Sequence, residues 1–105
     1  MIIKEKEIFN TIKNNNISIL DFWAPWCTPC LLIKNIINDI IKIYKDKILI
    51  IKINVDNNKF LHNKFNVYSI PTLIFYKKGI EIKRNIGLIN KKKLINIINK
   101  LLKDI

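Results

Sequence analysis

Apolar and polar positions follow two different periods along this chain, and the switches between them mark out its elements. Ile17–Trp23 (ISILDFW) is almost continuously apolar, the pattern of a strand covered on both faces, and only Asp21 interrupts it. From Cys27 or Thr28 to Tyr44, the residues Ile33, Ile36, Ile37, Ile40, Ile41 and Tyr44 recur at three- and four-residue steps. Lys34, Asn38, Lys42 and Lys45 fill the other side, so the spacing predicts an amphipathic helix. Ile48–Val55 predicts a second strand. Upstream, Ile2–Lys4 suits a short edge strand and Glu5–Asn14 a short helix with Ile8, Phe9 and Ile12 inward, followed by an Asn14–Asn16 turn. Downstream, a short helical segment around Lys59–Phe65 leads into a Val67–Pro71 turn. Thr72–Tyr76 and Ile80–Arg84 form a hairpin about Lys77, Lys78 and Gly79. Asn90 caps a last helix, Lys91–Leu102, with Leu94, Ile97, Ile98 and Leu101 inward. Three lysines crowd the positive dipole end of that helix and Asp104 sits near its negative end. Burial of the apolar stripe must outweigh this penalty of about 1 kcal/mol. The order β-α-β-α-β-α-β-β-α predicts an α/β fold, with helices on both faces of a mostly parallel sheet closed by an antiparallel hairpin.

Length and composition narrow the class. One domain spanning 1–105 is expected, since two self-sufficient cores rarely fit into 105 residues. Half the residues are hydrophobic, with two glycines and three prolines, which excludes collagen, low-complexity linkers and wholesale disorder. Two cysteines are too few for a disulfide scaffold or an all-cysteine zinc knuckle. The net charge of +11 taken alone suggests nucleic acid or an anionic membrane. Its character argues otherwise. Arginine, the residue best suited to guanine and phosphate, occurs once, at Arg84, and the lysines are dispersed except for Lys91–Lys93. Together 26 Ile, 15 Asn and 18 Lys make up more than half the chain. All three have A/T-rich codons, so genome composition accounts for the bias. No nucleic-acid partner is expected, and at most a weak preference for acidic partner proteins. No membrane span is expected either, because no stretch reaches about 18 uninterrupted apolar residues. Lys4, Glu5, Lys6 and Glu7 stand where a signal peptide needs its apolar core. A cytoplasmic or otherwise reducing compartment is therefore expected, where any bond between Cys27 and Cys30 is transient.

The chemistry concentrates in Trp26-Cys27-Thr28-Pro29-Cys30, at a strand-to-helix junction. Two cysteines three apart at a helix start lie within disulfide range. Cys27 sits where unpaired N–H groups and the helix dipole stabilise a thiolate, and Cys30 is one turn further in. An exposed attacker beside a sheltered resolver is what thiol–disulfide exchange requires. Pro29 lacks an N–H that the first turn leaves unsatisfied anyway, and it holds the pair in place. The competing readings are weaker. Zinc needs four ligands, and only Cys27, Cys30, His62 and a remote Asp56 are on offer; a c-type haem needs histidine where Leu31 stands. No metal and no cofactor are expected. A chance pair of inert core cysteines remains the plain alternative.

Two further clues bear on the same site. A buried Asp21 is costly unless protonated or hydrogen-bonded. Its strand ends just before the cysteine loop, which makes it a proton acceptor for Cys30, directly or through one water, with Lys52 as counter-charge. Alternatively, both side chains reach solvent from a sheet edge. In Ser69-Ile70-Pro71-Thr72, a cis Ile70–Pro71 bond would leave the Ile70 carbonyl and N–H for an extended substrate segment; the bland reading is an ordinary trans proline at a strand start. Trp23 is expected under the loop and Trp26 as an exposed apolar platform, while Phe22, Phe65, Phe75 and Tyr76 are packing residues. His62 is expected on a helix flank, Gly79 in the hairpin turn and Gly87 where a close backbone approach is needed at the groove.

The run Asp21-Phe22-Trp23-Ala24-Pro25-Trp26-Cys27-Thr28-Pro29-Cys30 resembles the active-site segment of thioredoxins. Ile70-Pro71-Thr72 resembles their cis-proline motif, and the resemblance covers essentially the whole chain. It implies the thioredoxin fold, a mixed five-stranded sheet in order 1-3-2-4-5 flanked by four helices. It also implies a protein-disulfide reductase recharged by a thioredoxin reductase or equivalent donor and acting, as a monomer, on disulfide-containing client proteins. The alternatives within reach are a thiol oxidase or isomerase and a non-catalytic adaptor. By the resemblance Cys27 is the nucleophile, Cys30 the resolving cysteine, Asp21 the buried acid and Lys52 its nearby lysine. Trp26, Thr28, Pro29, Ile70, Pro71 and Gly87 are the expected substrate contacts. The sequence departs from the family pattern at several points. Thr28 replaces a glycine, Leu31 a basic residue, Asn35 a kinking proline and Tyr68 a common arginine, and the first strand is shortened. Without that proline the main helix is expected to run straighter.

Overall fold

A computed structural model describes residues 4–103. Its elements are α1 (Glu5–Asn14), β1 (Ile17–Trp23), α2 (Thr28–Tyr44), β2 (Leu49–Asn54), α3 (Leu61–Lys64), β3 (Thr72–Lys77), β4 (Ile80–Ile86) and α4 (Lys91–Lys103), with a 3-10 turn at Lys45–Lys47 after α2. The described strands form one sheet in the order β2-β1-β3-β4. β1 pairs in parallel with β2 and antiparallel with β3, and β3 pairs antiparallel with β4.

Two expectations change here. The described residues contain four strands rather than five; the expected Ile2–Lys4 strand lies outside them except for Lys4, whose extended backbone caps α1. The remaining order is the expected one with its first strand left out. The sheet is also less parallel than expected, because β3 runs against β1. The reason lies in α3. A parallel return is usually made by a helix that runs back along the sheet, whereas the one helix described in the 55–71 connection, α3, is a single turn that rises about 6 Å. The chain therefore re-enters the sheet from the end at which it left.

Period-two alternation along β1 sends its side chains into two cores. Ile17 and Ile19 join Leu73 and Phe75 beneath α2 and α4, packed on Ile33, Ile37, Ile40, Leu94 and Ile98. Leu20 and Phe22 join Ile74 and Tyr76 on the other face, against Ile8 and Ile12 of α1 and Leu61 and Phe65 near α3. Full burial of each of these isoleucines contributes about 2 kcal/mol. The same alternation places Asp21 and Trp23 on the α2 side, at the carboxyl end of the strand. Asn35 leaves α2 unbroken over 17 residues. Ile41 proves exposed, since the buried stripe Ile33-Ile37-Ile40-Tyr44 leaves it past its edge. Phe9 is also exposed, but its ring stacks on Phe65 at 5.1 Å.

Local chemistry closes the ends. Asn90 Oδ1 accepts from the Lys93 N–H at 2.8 Å, capping α4, and Lys91 pairs with Asp39 at 3.3 Å, which offsets part of the unfavourable lysine cluster. Lys78 and Gly79 both take positive φ in the two-residue β3–β4 turn, the geometry whose twist matches paired strands. A Cβ on Gly79 would meet the Lys13 backbone at 3.3 Å. Gly79→Ala is expected to cost about 1–2 kcal/mol, from the left-handed backbone and this close approach together. Urea unfolding of the variant checks the figure through its midpoint.

Candidate active site

β1 delivers the chain to the cysteine loop, and its pairing with β2 continues through the Val55 N–H on the Trp23 carbonyl (3.0 Å). Ala24–Cys27 then closes a tight turn, with the Cys27 N–H on the Ala24 carbonyl at 3.1 Å. Cys27 is the N-cap of α2: its backbone is extended, and its Sγ accepts the Cys30 N–H at 3.2 Å. Thr28 and Pro29 are the first two helical residues, and no acidic side chain occupies the first turn to weaken the positive end of the dipole. The two sulfurs are joined in a disulfide, with Cα atoms 5.3 Å apart.

The expected difference in exposure between the sulfurs is not found in this oxidised form. Each cysteine is 5% exposed, because both pack with Ala24 against Trp23, Val55 and Ile70. What separates them is surroundings. Cys27 receives an N–H at the helix end, whereas Cys30 lines a cavity of about 110 Å³ that it shares with Asp21, Trp23, Leu31, Lys34 and Lys52.

Asp21 is buried in a central strand, and desolvation raises its carboxyl from 3.8 to about 6, against the opposing pull of Lys52. Lys52 sits directly across the β1–β2 ladder from Asp21. The solvent-reaching alternative thus fails for Asp21, while Lys52, on the outermost described strand, is exposed.

On the outer side, the Ile70–Pro71 peptide is cis, and Ile70 packs against the cysteine cluster. The Pro71 carbonyl accepts the Gly87 N–H at 2.8 Å, joining the proline turn to the end of β4. Gly87 has φ +93°, and a Cβ there would meet nothing within 4 Å. A cleft of about 280 Å³ is walled by Trp26, Val55, Val67, Tyr68 and Ile70, with His62 at its side. Trp26 is 67% exposed, and its Nε1–H is held by both carboxylate oxygens of Asp56, at 3.0 and 3.2 Å.

The structure thus brings together Cys27, Cys30, Asp21 and Lys52, places Trp26 and Ile70 in the wall of the outer cleft, and joins Pro71, next to Ile70, to Gly87. Sequence reasoning missed three residues. Lys34 lies four residues after Cys30, a spacing that returns it to the same helix face. Asp56 lies two residues after β2, so it emerges at the same end of the sheet as the cysteine loop. His62 was expected on a flank and instead borders the cleft.

A reversible sulfur pair at a helix start, over a buried acid and beside an apolar cleft, defines a dithiol–disulfide oxidoreductase. The thioredoxin family model matches residues 1–100. Thioredoxin of Haemophilus influenzae is 38% identical over 98 residues, covering 92% of each chain, and that of Rickettsia typhi is 43% identical over 82 residues, covering 78% of each. Among solved structures, Plasmodium falciparum thioredoxin superposes with a TM-score of 0.81 at 33% identity, over 91% of this chain and 92% of the other. A mutant thioredoxin from Halobacterium salinarum, at 24% identity, shares the fold with a TM-score of 0.87 over 97% and 88%. The chain belongs to the thioredoxin family. It is a protein-disulfide reductase, and the family implies disulfide-bearing client proteins and a reductase partner in general. No helix among the described residues is long and apolar enough to cross a membrane.

Proposed function

We propose that Cys27 is the nucleophile and Cys30 the resolving thiol of a reductase cycle served by Asp21. The observation that carries this reading is the division of surroundings: the Cys30 N–H points at Cys27 Sγ, while Cys30 shares its cavity with the buried carboxyl. In the reduced protein the Cys27 thiolate, favoured by that N–H and the helix dipole, attacks one sulfur of a client disulfide. A mixed disulfide forms and the other client sulfur leaves as a thiolate. The Cys30 thiol then loses its proton to Asp21 and attacks Cys27 Sγ. This releases the second client thiolate and leaves the Cys27–Cys30 disulfide. Two electrons pass to the client, and the reductase partner restores them.

Asp21 suits the proton transfer because a carboxyl near 6 is available as a base at neutral pH while remaining basic enough to accept a thiol proton. The cavity is large enough for a water between the two groups. Lys52 favours the carboxylate as it forms. Trp26, Thr28, Pro29, Ile70, Pro71 and Gly87 meet the client, with the Ile70 backbone pairing to an extended segment on either side of its half-cystine. The chain works as one domain over 1–105, as a monomer, in a reducing compartment where the dithiol form persists.

The test is turnover of insulin disulfides with dithiothreitol as electron source, paired with a redox titration of the cysteine pair. Expected are strong acceleration over dithiothreitol alone and a potential near the value of about −270 mV usual for reducing members of this fold. No acceleration would overturn the cycle. A potential near about −120 mV would make the protein an oxidant instead.

A further inference from the structure

A chain with 18 lysines and one arginine uses that arginine where a lysine cannot serve. Arg84, on β4, spreads its guanidinium across two adjacent backbone carbonyls: Nη1 donates to the Asn66 carbonyl at 2.9 Å and Nη2 to the Phe65 carbonyl at 2.5 Å. Its remaining edge is gripped by Glu81, with Nε donating to Oε2 at 2.7 Å and Nη2 to Oε1 at 3.1 Å. Residues three apart on a regular strand face opposite ways. Here the register shift between Phe75 and Tyr76 sets Glu81 opposite Tyr76 and Arg84 opposite Ile74, on one face of the sheet.

The two carbonyls belong to a corner whose side chains Phe65 and Val67 are buried in the core. They follow the single turn of α3, where a helix end leaves acceptors without helical donors, and Asn66 holds a left-handed φ of +56°. Immediately beyond lie Val67, Tyr68 and Ile70, the wall of the cleft opposite Trp26. Asn66 also steadies Tyr68, whose hydroxyl donates to Asn66 Oδ1 at 3.3 Å.

We infer that Arg84 is a positioning residue for client binding: its fork, oriented by Glu81, pins the Phe65–Asn66 corner and so sets the wall of the cleft. Arg84 reaches the cleft only through these carbonyls and is not part of the cysteine cluster. A lysine places a single ammonium and cannot span both carbonyls while keeping the two-point grip on Glu81. This assignment rests on the proposed reductase cycle, and its test keeps the two apart.

Arg84→Lys and Arg84→Gln are to be compared with the unmodified protein on insulin, which must seat in the cleft, and on dithiobis-nitrobenzoate, a small aromatic disulfide that needs only the sulfurs. For both variants KM for insulin is expected to rise about tenfold with kcat unchanged, the mark of lost uniform binding. Single-turnover rates of the pre-reduced variants with the small disulfide should stay within about twofold. Glu81→Gln, a milder surface change, should give a smaller rise in KM and faster amide exchange at Val67, Ser69 and Ile70. An unchanged KM, equal losses on both disulfides, full function in Arg84→Lys, or unaltered exchange in Glu81→Gln would each overturn the positioning role. An unmodified protein inactive on both disulfides would overturn the cycle itself, and the assignment with it.

Discussion

Cys30→Ser is expected to halt the reaction half-way. The Cys27 thiolate still attacks, but the mixed disulfide has no internal thiol to resolve it, so a covalent adduct with the client accumulates. Insulin turnover falls about a hundredfold or more, with the residue supplied by dithiothreitol. Cys27→Ser loses turnover to the same extent and forms no adduct, because Cys30 faces the inner cavity rather than the cleft. Mass spectrometry of the two variants after mixing with oxidised insulin, quenched with acid, reads the difference directly. The assignment of roles fails if the adduct builds on Cys27→Ser instead. An equal loss of turnover from either single change is itself expected, since the two sulfurs act as a unit whose contributions do not add.

Asp21→Asn should strengthen the fold while weakening the chemistry. The folded carboxyl titrates near 6, and its ordinary value is 3.8. Between those values the unfolded chain has already released a proton that the folded protein keeps. Stability associated with this group is therefore full below pH 3.8, falls as pH rises toward 6, and is absent above. A shift of about two pH units corresponds to roughly 3 kcal/mol. The asparagine variant removes that dependence. It should match the parent near pH 4 and exceed it by roughly 3 kcal/mol near pH 8 in denaturant unfolding. In stopped-flow experiments at neutral pH, resolution of the mixed disulfide should slow about a hundredfold, the usual contribution of a positioned base. Equal stability at both pH values would show that Asp21 carries no desolvation cost. An unchanged resolution rate would remove it from the proton path.

Much of this architecture is written locally. The apolar run of β1, the three-four stripe of α2, the Lys78-Gly79 turn and the Asn90 cap each depend on residues within a few positions of one another, and each appears as the pattern requires. The sulfur pair and Asp21 were legible for the same reason: a strand-to-helix junction puts their neighbours in the sequence next to them in space. The antiparallel course of β3 was harder to read, because it depends on how far a one-turn α3 can carry the chain and not on any property of β3 itself. The equal burial of the two cysteines depends on Ile70, some forty positions away. The place of Lys34 at the cavity and the hold of Arg84 on Phe65 and Asn66 are likewise long-range facts. Dispersed lysines conceal the first, and a register shift that no propensity announces produces the second.

The shelter over the oxidised sulfurs has a consequence for traffic. With so little area offered to the solvent, small thiols strike the bond rarely, and a broad macromolecular surface that can seat against Trp26 and Ile70 becomes the efficient entry for electrons. A docked protein donor is therefore expected to recharge the spent molecule faster than a small dithiol such as dithiothreitol does at equal concentration.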